Sequence, residues 1–164
     1  METPARGPTA VVRRHPVMAM TAGIVALAIG IGGFLWFRPD KLFTDTEVGE
    51  TFAAPVGVIA SGEFEGAAHP TEGTASFVEA DGGRELRLEG FRTDNGPDLF
   101  VWLSEAPVGG DYRGSVFVDV GALKGNIGDQ AYAIPDDVDL ERFSTVVIWC
   151  RRFTVAFGSA AVTA

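Results

Sequence analysis

The chain has 164 residues, enough for one ordinary domain plus an appendage, and carries a net charge of −9. With no basic run, that balance excludes a nucleic-acid surface, which needs clustered Lys and Arg. A single cysteine excludes an intrachain disulfide framework, so an apolar core must hold the fold. The 21 glycines and the near absence of lysine (Lys41 and Lys124) favour many tight turns over long helices.

Residues 1–16 form a tail containing Arg6, Arg13 and Arg14. Val17 to Phe37 then contains no charge, and at about 1.5 Å per helical residue it reaches roughly 30 Å, the hydrocarbon thickness of a bilayer. Residues 17–37 are therefore predicted to be a transmembrane helix, with Trp36 and Phe37 at its far end, where interfacial aromatics are common. A cleavable signal peptide would have a shorter apolar region ending in small residues, whereas this one ends F-L-W-F-R-P. Arg13-Arg14 lacks the context of a twin-arginine signal. The three arginines of the tail outnumber Arg38 and Lys41, so the N-terminus is expected in the cytoplasm and the remainder outside it. Residues 38–55, with Pro39 and Pro55 and no sustained period, read as a linker, with a short amphipathic turn at Leu42 and Phe43.

Residues 56–164 read as short strands separated by turns. The strand candidates are Val56 to Ile59, Glu63-Phe64, Thr74 to Ala80, Arg84 to Leu88, Leu99 to Leu103, Val116 to Val120, Ala131 to Ile134, Val146 to Cys150 and Phe153 to Phe157. Asp81-Gly82-Gly83 marks a tight hairpin, and Asn95-Gly96-Pro97 another turn. In Arg84 to Leu88 the alternation sends Leu86 and Leu88 inward and Glu85, Arg87 and Glu89 to water. Asp137 or Asp139 is placed to cap a helical turn over Leu140 to Phe143. The expectation is an all-β antiparallel sandwich or barrel-like domain of about eight strands, preceded by one transmembrane helix.

Thr145 to Gly158, T-V-V-I-W-C-R-R-F-T-V-A-F-G, is the most strand-like run. Period two puts Val146, Ile148 and Cys150 on one face and Val147 with Trp149 on the other, both apolar, as in a strand covered on both sides. Arg151 and Arg152 follow Cys150, and nearby positive charge stabilises the reactive thiolate if the sulfur is reachable. Unpaired cysteines are also among the most buried residues, so a small packed hydrophobe is the competing role. His69, the domain's one histidine, is either a haem or metal ligand, a proton partner for Cys150, or a turn residue before Pro70. One histidine and one cysteine cannot close a zinc site, and without C-x-x-C-H no haem can be attached covalently. Asp94, Asn95 and Asp98 cluster without the spacing of a calcium loop, as do Asp136, Asp137 and Asp139. Gly121, Gly125 and Gly128 read as backbone devices and not as a phosphate loop. No catalytic triad, paired catalytic carboxylates or nucleophile elbow can be assembled, so the chain has no hydrolase or transferase signature.

H-P-T-E-G-T-A at 69–75, G-P-D-L-F-V-W-L-S at 96–104, G-A-L-K-G-N-I-G-D-Q-A-Y at 121–132 and V-V-I-W-C-R-R-F-T-V-A-F-G-S-A at 146–160 together resemble the DM-thirteen domain family. The resemblance covers about Gly57 to Val162. It implies an all-β electron-transfer domain of the kind that stands beside DOMON domains in some animal proteins and alone in many bacterial membrane proteins. It also implies a redox role for the motif cysteine. Cys150 is then the expected redox residue, with His69, Trp149 and Arg151 shaping its surroundings and haem as a possible cofactor at His69. The partners implied are a membrane and a redox or cell-envelope protein. The rival from another class is a non-catalytic envelope-binding or adhesion module in which Cys150 only packs.

Overall fold

The computed structural model describes residues 16–37 and 44–164. The expectations placed on the basic tail and on Leu42-Phe43 fall outside them. The chain divides into two compact units, residues 1–39 and 40–164. In the first, helix α1 (Pro16–Phe37) runs for 22 residues without a charge. At about 1.5 Å per residue this is roughly 33 Å, long and apolar enough to span a membrane. Pro16 opens the helix, where its missing N–H costs nothing.

The second unit is one antiparallel sheet of eight strands: β1 (Gly57–Gly66), β2 (Thr71–Ala80), β3 (Gly83–Thr93), β4 (Leu99–Ser104), β5 (Phe117–Ala122), β6 (Gln130–Ile134), β7 (Thr145–Cys150) and β8 (Val155–Ala161). Their order is β5-β4-β7-β8-β1-β2-β3-β6. The two end strands approach each other where Gly121 on β5 faces the Tyr132 ring on β6, so the sheet nearly closes into a barrel. The two apolar runs expected at 56–64 are one long strand. Its first part pairs with β2, and Phe64 to Gly66 pairs with β8. Asp81-Gly82 makes the predicted two-residue hairpin, with Ala80 facing Gly83.

Alternation along the strands fills the barrel with Phe77, Leu86, Leu88, Phe91, Leu103, Ile148 and Phe157, all essentially without solvent contact. Burial of each such side chain stabilises the fold by about 1.5–3 kcal/mol. β7 is covered on both faces, as its sequence demands. Val146, Ile148 and Cys150 join the interior, while Val147 and Trp149 join a second cluster outside the sheet with Trp102, Tyr112 and Ala156.

Two local expectations are corrected. Arg87 does not point to water; only 5% of it is exposed. Residues 44–55, part of the expected linker, are docked chain, and they cover it. The Arg87 guanidinium donates to the Ala53 carbonyl at 2.9 Å, pairs with Glu85 and lies over the Phe52 ring. The capped turn expected at Leu140 to Phe143 is present, with Asp139 Oδ1 accepting from the Glu141 and Arg142 amides.

Candidate functional site

The four motif stretches meet at one end of the barrel. A bulge on β8 creates the centre of the arrangement: Ile148 faces Gly158 and Trp149 faces Ala156, which leaves Phe157 as the extra residue. A bulge re-aims the side chain it carries, and Phe157 turns into the core. The loop after β1 is tied to it. The amides of Ala67 and His69 both donate to the Phe157 carbonyl, and the His69 ring stacks on the Phe157 ring at 3.8 Å between centroids. His69 Nδ1 lies 2.9 Å from Asp94 Oδ2, so carboxylate and stacked ring together fix the orientation of the imidazole. The His69 side chain remains 35% exposed.

Asn95 and Gly96 continue this wall. A side chain at Gly96 would strike Leu99 and the tip of Phe157, which is why the turn carries glycine there. The Asn95 amide donates to Asp45 Oδ1 at 2.7 Å, and the Asn126 amide donates to the same oxygen at 2.9 Å. These two donors, Asn126 foremost, hold the Asp45 carboxyl below its ordinary range. Asn126 Oδ1 in turn accepts from the Thr46 amide. Gly128 has φ +101°, and the Val48 backbone packs directly against its α-carbon. Gly121 is also in the left-handed region, whereas Gly125 serves through close approach of the Thr46 carbonyl. Beneath this loop the buried Gln130 and Tyr132 hold the Lys124 and Gly125 backbone. Burial pushes the Tyr132 hydroxyl up to about 12.

Two clefts flank the Asn95–Asn126 wall. One, of about 480 Å³, is lined by His69, Asp45, Glu72, Arg92 and Asp94. The other, of about 170 Å³, lies among Thr44, Asp98, Phe100 and Lys124. The charged and polar walls of the His69 cleft do not match the apolar faces of a haem. Among the described residues no three His, Cys, Asp or Glu side chains gather to hold a metal ion, calcium included.

The expected site residues are not gathered around one sulfur. Cys150 is 0% exposed within the interior cluster, cross-strand from Leu99. Trp149 faces the other side of the sheet, stacked on Trp102 at 4.8 Å. Arg151 lies over the Phe100 ring at 3.4 Å and pairs with Asp119, while its amide donates to the Asp98 carbonyl. His69 meets the core at Phe157. Asp94, Asp45, Asn126 and Phe157 belong to the arrangement although their roles were not foreseen. The Asp94-Asn95 cluster was visible, but its partners lie far away in sequence.

No curated protein and no solved structure matches the chain. A family model described as "Electron transfer DM13" matches residues 63–162, more than half of the chain and all eight strands in whole or in part. With the barrel, the converging motif stretches and this match together, the chain belongs to the electron-transfer DM13 family.

Proposed function

We propose that this chain is a membrane-tethered electron-transfer protein in which Cys150 is the redox group and the motif-lined end of the barrel is the exchange face. The observation that carries this reading is the double tie of His69 to Phe157, by ring and by backbone. It places the domain's one imidazole over the interior cluster that contains Cys150. The route to the buried sulfur, on this reading, is the turn that follows it. Thr154 in that turn has φ +53°, unique among the described non-glycine residues, and such strain is kept where surrounding structure holds it. Arg151 and Trp149 brace the strand from the opposite side. In this arrangement residues 1–16 are a cytoplasmic tail, 17–37 the span, 38–55 the connection and 56–164 the extracytoplasmic domain, supported by the uncharged helix and the arginine excess before it.

The test is a thiol titration of the full-length chain in detergent, native against unfolded, with hydrogen peroxide as oxidant. The thiolate attacks the O–O bond, an S–O bond forms, and sulfenic acid and water are the products; a thiol reductant reverses the change. Oxidation and recovery of Cys150 in the native chain, lost in Cys150→Ala, is the expected result. A thiol that reacts only after unfolding overturns the role given to Cys150. A second reading, an envelope-binding module with a structural cysteine, draws on the complete burial of that residue, and the same result would favour it.

A further inference from the structure

We infer that Trp102 and Trp149 form a one-electron relay on the outer face of the sheet, with its surface terminus at Phe117 on β5. The inference rests on the electron-transfer reading of the domain but not on the reactivity of Cys150.

Three aromatic rings are stacked across three adjacent strands. Phe117 lies on Trp102 at 3.8 Å with 14° between planes, and Trp102 lies on Trp149 at 4.8 Å with 22°. One interior phenylalanine pair has a different geometry: Phe64 meets Phe91 edge-on, at 67° and 5.3 Å. Edge-on contact satisfies ring quadrupoles equally well, so packing alone does not require near-parallel rings. Near-parallel rings overlap their π-systems, and electronic coupling falls steeply with separation. The column also has two distinct ends. Phe117 is 39% exposed, whereas Trp102 and Trp149 are 6% and 5% exposed, and the Trp149 backbone is bonded directly to Cys150.

The Trp102 indole N–H is buried without a hydrogen-bond partner among the described residues. Buried indoles usually find an acceptor, and each exception calls for a reason. A redox role supplies one. A one-electron oxidant of high potential at the β5 edge takes one electron from the indole π-system and is reduced by one. The indole becomes a radical cation. With no acceptor for its proton among the described residues, Trp102 keeps the N–H, so no proton transfer accompanies the step. The hole moves to and from Trp149 by electron exchange and is filled by one electron from a reduced one-electron carrier, which is itself oxidised by one. Asp119, cross-strand from Trp102 on β5, anchors Arg151 and so fixes the strand end that carries Trp149.

The experiment is flash-quench oxidation of the full-length chain in detergent by photogenerated tris(bipyridine)ruthenium(III). A Trp36→Phe background removes the remaining tryptophan, and transient absorption distinguishes tryptophan radical cation from neutral radical. A long-lived radical cation is expected, reduced to a short-lived signal by Trp102→Phe and by Trp149→Phe, with near-ultraviolet circular dichroism reporting an intact fold. The conservative phenylalanine keeps the stack, so two indoles that act independently leave the remaining tryptophan's transient at reduced amplitude with an unchanged lifetime. A transient of unchanged lifetime in Trp102→Phe, or a neutral radical in place of the cation, overturns the relay. Because the thiol titration reads Cys150 independently, that outcome would leave the electron-transfer reading standing.

Discussion

At His69 three constraints act on one ring: Asp94 fixes Nδ1, Phe157 fixes the plane, and the backbone hydrogen bond to Phe157 fixes the loop. None of them touches the sulfur of Cys150, which sits among apolar side chains in the barrel. Two residues adjacent in sequence, Trp149 and Cys150, thus serve opposite faces of the same strand. The packing share of the thiol can be measured directly. Cys150→Ala removes one buried heavy atom and should lower stability by about 1 kcal/mol, read as a lower urea midpoint with an unchanged slope. A loss several times larger would assign Cys150 a chiefly structural role.

At the scale of elements, the segment at 44–55 acts as a strap across the open end and the β6 edge. The Val48 amide donates to the Ile127 carbonyl at 2.9 Å, the Glu50 amide to Asp129 at 3.0 Å, and the Glu50 carboxylate accepts from Lys124 and from the Ala131 amide. An exposed sheet edge invites pairing with other chains, and covering it removes that hazard. The family match begins at residue 63, so this strap lies outside the matched segment although it completes the site wall with Asp45. Asp45 is lowered by Asn126 and Asn95, and Glu50 by Lys124, from ordinary values of 3.8 and 4.5. Carboxylates whose folded values are depressed stabilise fully above those ordinary values and lose the contribution as pH falls through the folded ones. Amide hydrogen exchange at Val48 and Glu50 should therefore accelerate selectively below about pH 4, after correction for intrinsic rates. Glu50→Gln should retain the backbone bonds and lose most of that dependence. Uniform acceleration across all strands would refute a separable strap.

At the scale of the whole molecule, the buried Gln130–Tyr132 pair links the seam of the barrel to the glycine-rich loop of the site. Desolvation raises Tyr132 from 10.0 to about 12. For a group that is neutral when protonated, a raised folded value means that stability is complete below about pH 10 and falls as pH rises toward 12. Alkaline unfolding should therefore set in over that interval, with a loss on the order of 2 kcal/mol that Tyr132→Phe abolishes. Absorbance of the phenolate measured alongside circular dichroism checks it.

Much of this architecture was legible in the residues themselves. Alternation, turn dipeptides and an uncharged run are local signals, so they determined an eight-stranded antiparallel domain after an apolar helix, the two-faced burial of β7 and the resemblance to a family. The linker-like composition of 44–55 gave no sign of docking, because its partners are backbone groups and amides some eighty residues away. The same separation hid the convergence of His69, Asp94, Asn126 and Phe157, since sheet order, unlike strand content, is set by long-range pairing. Sequence adjacency joined Cys150, Trp149 and Arg151 into one expected site. Period two already set the thiol and the indole on opposite faces of the strand; only the tertiary structure decided that the indole stacks on Trp102 and that the guanidinium reaches across to Asp119.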